Sequence, residues 1–372
     1  MKKKINLIIF HPYSGSGGAD RSIARLVNNI DHSIFKISFI SISRPNIKKF
    51  INKEIKFYRI NSTRSIFSIF KIREILIKKF RNNKNKNIFL SNQNFANIIS
   101  FAVLFKLKNF KHILIERNSL EELNYGKNFF DTFKKKIIKY LIKFSYKYAD
   151  LVICISKKLK DEITNFSNAK TITIYNPSLD QSIFKKNKET SHKKILKKKL
   201  IINIARLETQ KDHITLIKAF HLLKDANNFS LLIVGYGSRY KELSTFIDLN
   251  NLKNKIKIIR NVRNANKLLK SSQLFVLSSR YEGFGNVLIE AGLNKVPIIS
   301  SNCNHGPKEI LANGKYGDLF NVGNHKELAS KIKKFIRKPD VLNLKSIKFF
   351  NSLHRFKTQK IIDKYEKVFF NV

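Results

Sequence analysis

Short apolar, β-branched runs alternate along this chain with longer amphipathic stretches. That alternation predicts an α/β fold. In the first half, strands are expected at 5–10, 35–43, 55–60, 87–91, 111–116, 150–155 and 171–175. In the second half they are expected at 200–205, 229–235, 256–260, 274–278 and 296–300. Runs such as Leu231-Leu-Ile-Val234 lack polar alternation. They therefore predict strands covered on both faces. Residues 21–30 read as a helix, 129–148 and 66–81 as basic amphipathic helices, and the basic tail from about 343 to 371 is helical in pattern.

Residues 185–199 are too charged for a core and have turn residues near their start, so the domain linker is placed there. The result is two doubly wound, Rossmann-like domains facing across a cleft, 1–184 and 185–354. Ligands of such sheets bind at the carboxyl ends of the strands, which directs attention to the loops that follow them.

Composition adds one strong signal. The 372 residues hold 73 Lys and Arg against 26 Asp and Glu, a formal charge of +47. Such a field favours nucleic acid, an anionic membrane surface or pyrophosphate ligands. Lys, Asn and Ile are abundant together, so an AT-rich genome is a second source of the charge. Cys154 and Cys303 are too few for a disulfide framework and sit in no metal-ligand spacing, which fits a reducing cytosol. The apolar run after Met1 breaks at His11-Pro12 without a small-residue cleavage site and reads as a first strand. No apolar run approaches the roughly 20 residues of a membrane helix, so a cytoplasmic chain, soluble or peripheral on the inner face of the membrane, is expected.

The candidate chemistry lies in post-strand loops. Glu282-Gly-Phe-Gly-Asn-Val-Leu-Ile-Glu290 follows the strand at 274. Its glycines let a ligand approach the backbone, and a helix starting near Asn286 would aim amides at an anion. Glu282 and Glu290 bracket that turn, an arrangement suited to a phosphate flanked by hydroxyls; an acidic helix start with one surface Glu is the plainer alternative. Arg206 and Lys211 follow the first strand of the second half, where two cations can stabilise a leaving pyrophosphate. Gly235 closes the next strand and permits a sharp turn. Gly306 and Pro307 would start a helix after the strand at 296, with His305 a solvated loop residue or a substrate contact. Near the N-terminus, Ser14-Gly-Ser-Gly-Gly-Ala-Asp20 resembles a dinucleotide fingerprint only in part, because Asp20 stands at the third glycine position. A nicotinamide enzyme is rejected; Gly17 and Gly18 remain candidates for a loop admitting a phosphate or sugar. Asp-x-Asp, His-Glu-x-x-His and a Walker loop are absent, so no metal and no cofactor is expected.

Together these residues resemble the retaining glycosyltransferases of family 4, of GT-B architecture. Ala205-Arg-Leu-Glu-Thr-Gln-Lys-Asp212, Val234-Gly-Tyr-Gly237, Ser279-Arg-Tyr-Glu-Gly-Phe-Gly-Asn-Val-Leu-Ile-Glu-Ala291 and Gly306-Pro-Lys-Glu-Ile-Leu311 occur in that family's order, and Gly17-Gly-Ala-Asp-Arg21 looks like its donor loop. The resemblance implies that Arg206 and Lys211 bind the donor diphosphate and that Glu282 touches the transferred sugar. Gly283, Phe284, Gly285, Asn286 and Val287 would offer backbone amides, and Glu290 would hold the ribose. It also implies a terminal helix, about 355–372, crossing back to the first domain. Ala205 stands where the family usually has Gly, and Asn302 and His305 replace residues more often Asp and Ser. Where many members carry a first-domain histidine, this chain reads Glu116-Arg117-Asn118, which become acceptor-side candidates.

The implied donor is a nucleotide sugar, by family analogy UDP-hexose or UDP-N-acetylhexosamine, with GDP and ADP open. The implied acceptor is a saccharide, lipid-linked on a polyprenyl diphosphate, in cell-surface polysaccharide synthesis. Lys136, Lys139, Lys143 and Lys147 share a helical side near the apolar Phe130, Phe133, Ile137, Leu141 and Phe144. This suits an anionic membrane, or an ordinary packed helix with a lysine-rich solvent face. Two rival functions stay open: a basic nucleic-acid-binding protein, disfavoured because no recognised module appears, and a sugar-nucleotide epimerase or phosphorylase.

Overall fold

The central apolar runs become strands buried from both sides, while those at the sheet edges, such as Lys56–Ile60 and Thr171–Thr173, stay partly exposed. The structure is a computed structural model and describes residues 4–13, 17–42, 46–62, 65–81, 85–124, 128–179, 199–223, 228–260, 262 and 265–372. The stretch 185–199 read as a linker lies outside these apart from Lys199, as do Ser14, Gly15 and Ser16 of the first loop. The chain divides into two compact units, Met1–Asp180 with Phe356–Val372, and Gln181–Arg355.

The first unit is built on β1 (Ile5–Phe10), β2 (Phe35–Ile42), β3 (Lys56–Ile60), β4 (Asn87–Asn92), β5 (Phe110–Glu116), β6 (Leu151–Cys154) and β7 (Thr171–Thr173). All pair in parallel, in the order β3-β2-β1-β4-β5-β6-β7. Leu7 of β1 is level with Ile37 on one side and Ile88 on the other, and all three are buried. Its helices are α1 (Gly18–Asn29), α2 (Ile69–Phe80), α3 (Asn94–Leu104), α4 (Phe129–Lys147) and α5 (Lys157–Ser167).

The second unit carries β8 (Lys199–Ile204), β9 (Phe229–Val234), β10 (Ile256–Ile259), β11 (Leu274–Leu277), β12 (Ile298–Ser301) and β13 (Asp318–Phe320), in the parallel order β10-β9-β8-β11-β12-β13. Its helices are α6 (His213–His221), α7 (Tyr240–Leu249), α8 (Ala265–Lys270), α9 (Asn286–Leu293), α10 (Pro307–Ile310), α11 (His325–Arg337) and α12 (Asp340–Ser352). β13 was not expected, because three residues show no alternation. In both sheets the strand order reverses once, between β1 and β4 and between β8 and β11. Doubly wound sheets bind ligands at such a switch point.

The basic tail is not one helix. A 3-10 turn at Leu353–Phe356 separates α12 from α13 (Thr358–Asn371), and α13 belongs to the first unit. Thr358 N donates to Leu179 O at 2.9 Å, and the buried Ile361, Ile362, Tyr365 and Phe369 form the inner face of α13. Phe369 packs edge-on against Phe35 of β2 at 6.0 Å. Each such side chain contributes about 1.5–3 kcal/mol of burial. Among the described residues, no helix is long and apolar enough to cross a membrane.

Candidate active site

The loops after β8 and β11 meet at the switch point of the second unit. Lys211 ends a 3-10 turn, Thr209–Lys211, and its Nζ lies 2.5 Å from Glu282 Oε1. Ser279 Oγ donates to the same oxygen at 2.7 Å. The two loops are laced together: Arg280 N donates to Gln210 O (2.8 Å), Gln210 Nε2 to Tyr281 O (2.9 Å), and Ser278 Oγ to Lys211 O (2.9 Å). Glu282 is buried and Lys211 half-buried, whereas Arg206 is exposed and its guanidinium reaches Gln210 Oε1 at 3.4 Å.

Backbone proximity explains the glycines here. A Cβ on Gly235 would sit 1.8 Å from Ala205 O, so the loop after β9 lies against the loop after β8 because that residue has no side chain. Gly285, at φ +97°, stands at the N-cap of α9 and, having no side chain, offers no side-chain cap itself. Asn286 and Glu290, one turn apart, share a face of α9. The Phe284 ring is buried, which leaves its backbone on the loop, while Gly283 and Val287 are half-buried. The expected helix after Gly306 is a single turn of four residues, and His305 is buried rather than solvated. His213, at the first position of α6, is buried, and among the described residues neither ring nitrogen has a hydrogen-bond partner. Burial, with Lys211 and Arg239 nearby, lowers its pKa to about 4.

The strand ends of the first unit carry a buried polar network. His11 Nε2 lies 2.8 Å from Asp20 Oδ1, and Asn92 Nδ2 lies 2.9 Å from His11 Nδ1. Asn92 Nδ2 can only donate, so the ring is a neutral imidazole with its proton on Nε2. Burial agrees, lowering the His11 pKa although Asp20 opposes it. Arg117 donates from Nε to Asn92 and from Nη1 to Asn176 and to Ser22 Oγ, the last at 3.1 Å. The Gly17 amide donates to Asp20 Oδ2 at 3.0 Å. That end of α1 therefore carries its own carboxylate. Glu116 is turned inward: Arg117 N and Asn118 N donate to Oε1 at 2.7 and 2.8 Å, and Tyr146 Oη donates to Oε2. Burial raises its pKa to about 7. Of Glu116, Arg117 and Asn118, only Asn118 is partly open to solvent.

Comparison with known proteins bears on this geometry. The family model described as glycosyl transferases group 1 matches residues 184–352. An uncharacterized glycosyltransferase of Methanocaldococcus jannaschii is 31% identical over 293 residues, covering 75% of this chain and 71% of that one. The chain belongs to the group 1 glycosyltransferases. It is similar also to the Campylobacter jejuni N-acetylgalactosamine-N,N'-diacetylbacillosaminyl-diphospho-undecaprenol 4-alpha-N-acetylgalactosaminyltransferase, 28% identical over 89% of each chain. The crystal structure of Anabaena HepE in complex with UDP and glucose superposes with a TM-score of 0.79 over 100% of both chains at 16% identity, a likeness of fold.

This group 1 glycosyltransferase is thus an enzyme, a hexosyltransferase, with two Rossmann-like units of the GT-B fold. In it the structure joins Lys211 to Glu282 directly and Arg206 to their loop through Gln210; Gly235 lies against that loop at Ala205, and Glu290 lies on the helix that follows. The sequence reading passed over His11, Ser22, Asn92 and Asn176. The available signal was a polar residue ending an apolar strand, as at His11 and Asn92.

Proposed function

We propose that this enzyme is a retaining glycosyltransferase of family 4. It moves a hexose or N-acetylhexosamine from a UDP donor to a hydroxyl of a polyprenyl-diphosphate-linked saccharide, in cell-surface polysaccharide assembly on the inner face of the cytoplasmic membrane. The observation that carries this reading is the Lys211–Glu282 pair at the switch point of the second unit, one loop before the start of α9. Membership of the family decides for sugar transfer over a nucleic-acid-binding protein and over an epimerase or phosphorylase.

Bond by bond, the sugar C1–O bond to the diphosphate breaks and the departing oxygens gain charge. Arg206, Lys211 and the first amides of α9 stabilise that charge in place, a preorganised arrangement that needs no rearrangement at the moment of reaction. Glu282, its Oε1 fixed by Lys211 and Ser279, is oriented for sugar hydroxyls. The acceptor oxygen bonds to C1 from the face the diphosphate leaves, and its proton passes to a departing phosphate oxygen. Configuration is retained without a covalent intermediate. Cations supplied by the chain replace a divalent metal in this scheme.

The Campylobacter relative's name specifies a diphospho-undecaprenol-linked acceptor, which supports the lipid-linked class here. Incubation with UDP-glucose, UDP-galactose and their N-acetyl forms, plus a short polyprenyl-diphosphate saccharide, should give an α-linked product by proton NMR. Turnover should persist in EDTA. A β-linked product, or turnover abolished by EDTA and restored by a divalent ion, would overturn the proposed chemistry.

A further inference from the structure

Helix α4 has two apolar faces, where a helix covering one side of a sheet needs one. Ile138, Ile142 and Tyr146 turn inward. Phe130, Phe133, Ile137, Leu141, Phe144 and Tyr148 recur every three or four residues along another line and are 40–81% exposed. Beside them run Lys136, Lys139, Lys143 and Lys147, and the helix carries six lysines against one acid, Asp131.

The neighbouring helices repeat the pattern. α3 packs between α2 and α4. Phe95 and Phe105 at the two ends of α3 are 54% and 55% exposed, and Phe67 and Phe70 at the start of α2 are 62% and 81% exposed. Between α3 and α4 lies a groove of about 420 Å³, walled mainly by apolar side chains such as Phe101, Leu104, Phe105 and Phe144, with His112 and the carboxylate of Asp150 also in its lining. Phe144 meets Phe101 edge-on (5.2 Å) and Tyr148 at a tilt (4.9 Å). Cations edge this groove: Lys147 Nζ lies 6.0 Å from the Tyr148 ring and Lys106 Nζ 5.6 Å from the Phe105 ring.

A lysine-rich solvent face accounts for the cations but leaves the phenylalanines unexplained. Globular chains seldom expose a contiguous apolar patch larger than a few hundred Å² without a use for it. A phosphate backbone would satisfy the lysines and gain little from phenyl rings with no polar tip. An anionic bilayer satisfies both, because rings enter the acyl boundary while lysine stems reach out to the headgroups.

We propose that the α2–α3–α4 face of the first unit docks on an anionic phospholipid bilayer, with the Phe130–Tyr148 line inserted and the α3–α4 groove taking a segment of acyl chain. The inference deepens the membrane location given in the proposed function and rests on that reading, and the vesicle measurements below need no sugar transfer, so the two can fail separately.

The chain has no tryptophan, so one introduced reporter reads one position. The test uses full-length protein with vesicles of phosphatidylcholine alone, or with about a third phosphatidylglycerol, the anionic lipid that the lysines require. Phe130→Trp should blue-shift and be quenched by acyl-brominated lipid only with phosphatidylglycerol present, while Leu249→Trp, exposed on α7, stays unquenched. Co-sedimentation should weaken at least about tenfold in Lys136→Glu/Lys143→Glu and in Phe130→Ser/Phe133→Ser. These side chains are exposed, so unfolding midpoints should not move and will report any failure to fold. Quenching at neither position, equal binding by both double variants, or loss of duplex-DNA binding in them without any vesicle binding would overturn the proposal.

Discussion

Lys211 and Glu282 stand 71 residues apart in sequence, yet Nζ and Oε1 are 2.5 Å apart, with side chains 14% and 7% exposed. The parallel sheet makes this meeting: β8 and β11 are neighbours, and their loops emerge side by side. A cation held by a carboxylate is already partly compensated. An arriving diphosphate therefore competes for a lysine that is in position before it binds.

Replacing Lys211 by Ala should lower kcat on the order of 10²–10³, the usual cost of one preorganised donor. It should also destabilise the fold by about 3 kcal/mol, because Glu282 is left buried without its cation. Lys211→Met/Glu282→Gln should restore much of the stability and none of the activity. Urea titration and steady-state kinetics on the three proteins separate the two effects.

Gly235→Ala should cost about 3 kcal/mol or more, since its methyl would overlap Ala205 O at 1.8 Å and a backbone must move. The measurement is the urea midpoint. Gly323→Ala is the control, because nothing lies within 4 Å there and its cost comes from φ +77° alone.

Glu116 should make the fold less stable as pH rises. Its native pKa, about 7, lies above the ordinary 4.5, so the native state holds a proton that the unfolded chain has lost. Stability is full below pH 4.5 and falls through pH 7, by up to about 3 kcal/mol. Glu116→Gln should remove that slope, seen as a variant-minus-parent difference in unfolding free energy that grows from pH 4.5 to 8.

His213 has the opposite sign. Its native pKa of about 4 lies below the ordinary 6.5, so the unfolded state takes up a proton first as pH falls. Stability is full above pH 6.5 and is lost on acidification toward pH 4. His213→Leu should be the more stable protein at pH 5, with the gap narrowing at pH 7.5. It also removes two unpartnered ring nitrogens from the core.

The strands were legible because residues such as Leu231–Val234 are apolar without interruption, which only burial on both faces explains. β13 was not, being three residues with one buried. The break at Leu353–Phe356 was missed because hydrophobic spacing runs on across it. In the second unit the loop motifs pointed to Arg206, Lys211 and Glu282 because each follows a recognisable strand, and the structure puts them on adjoining loops. The first unit hid its chemistry. Arg117 finds Ser22, Asn92 and Asn176 from three other segments, and Glu116 points inward, contacts set by tertiary packing that no local spacing encodes.

Calorimetric titration with UDP tests the nucleotide-sugar site most directly, with GDP and ADP alongside. Arg206 is exposed and supports no core contact, so Arg206→Ala probes binding without disturbing the fold. The account predicts one-to-one binding of UDP by the parent protein, and binding at least about tenfold weaker in Arg206→Ala, as expected for losing a charge-assisted contact. Equal affinity in the two proteins, or no heat with any of the three nucleotides, would contradict it.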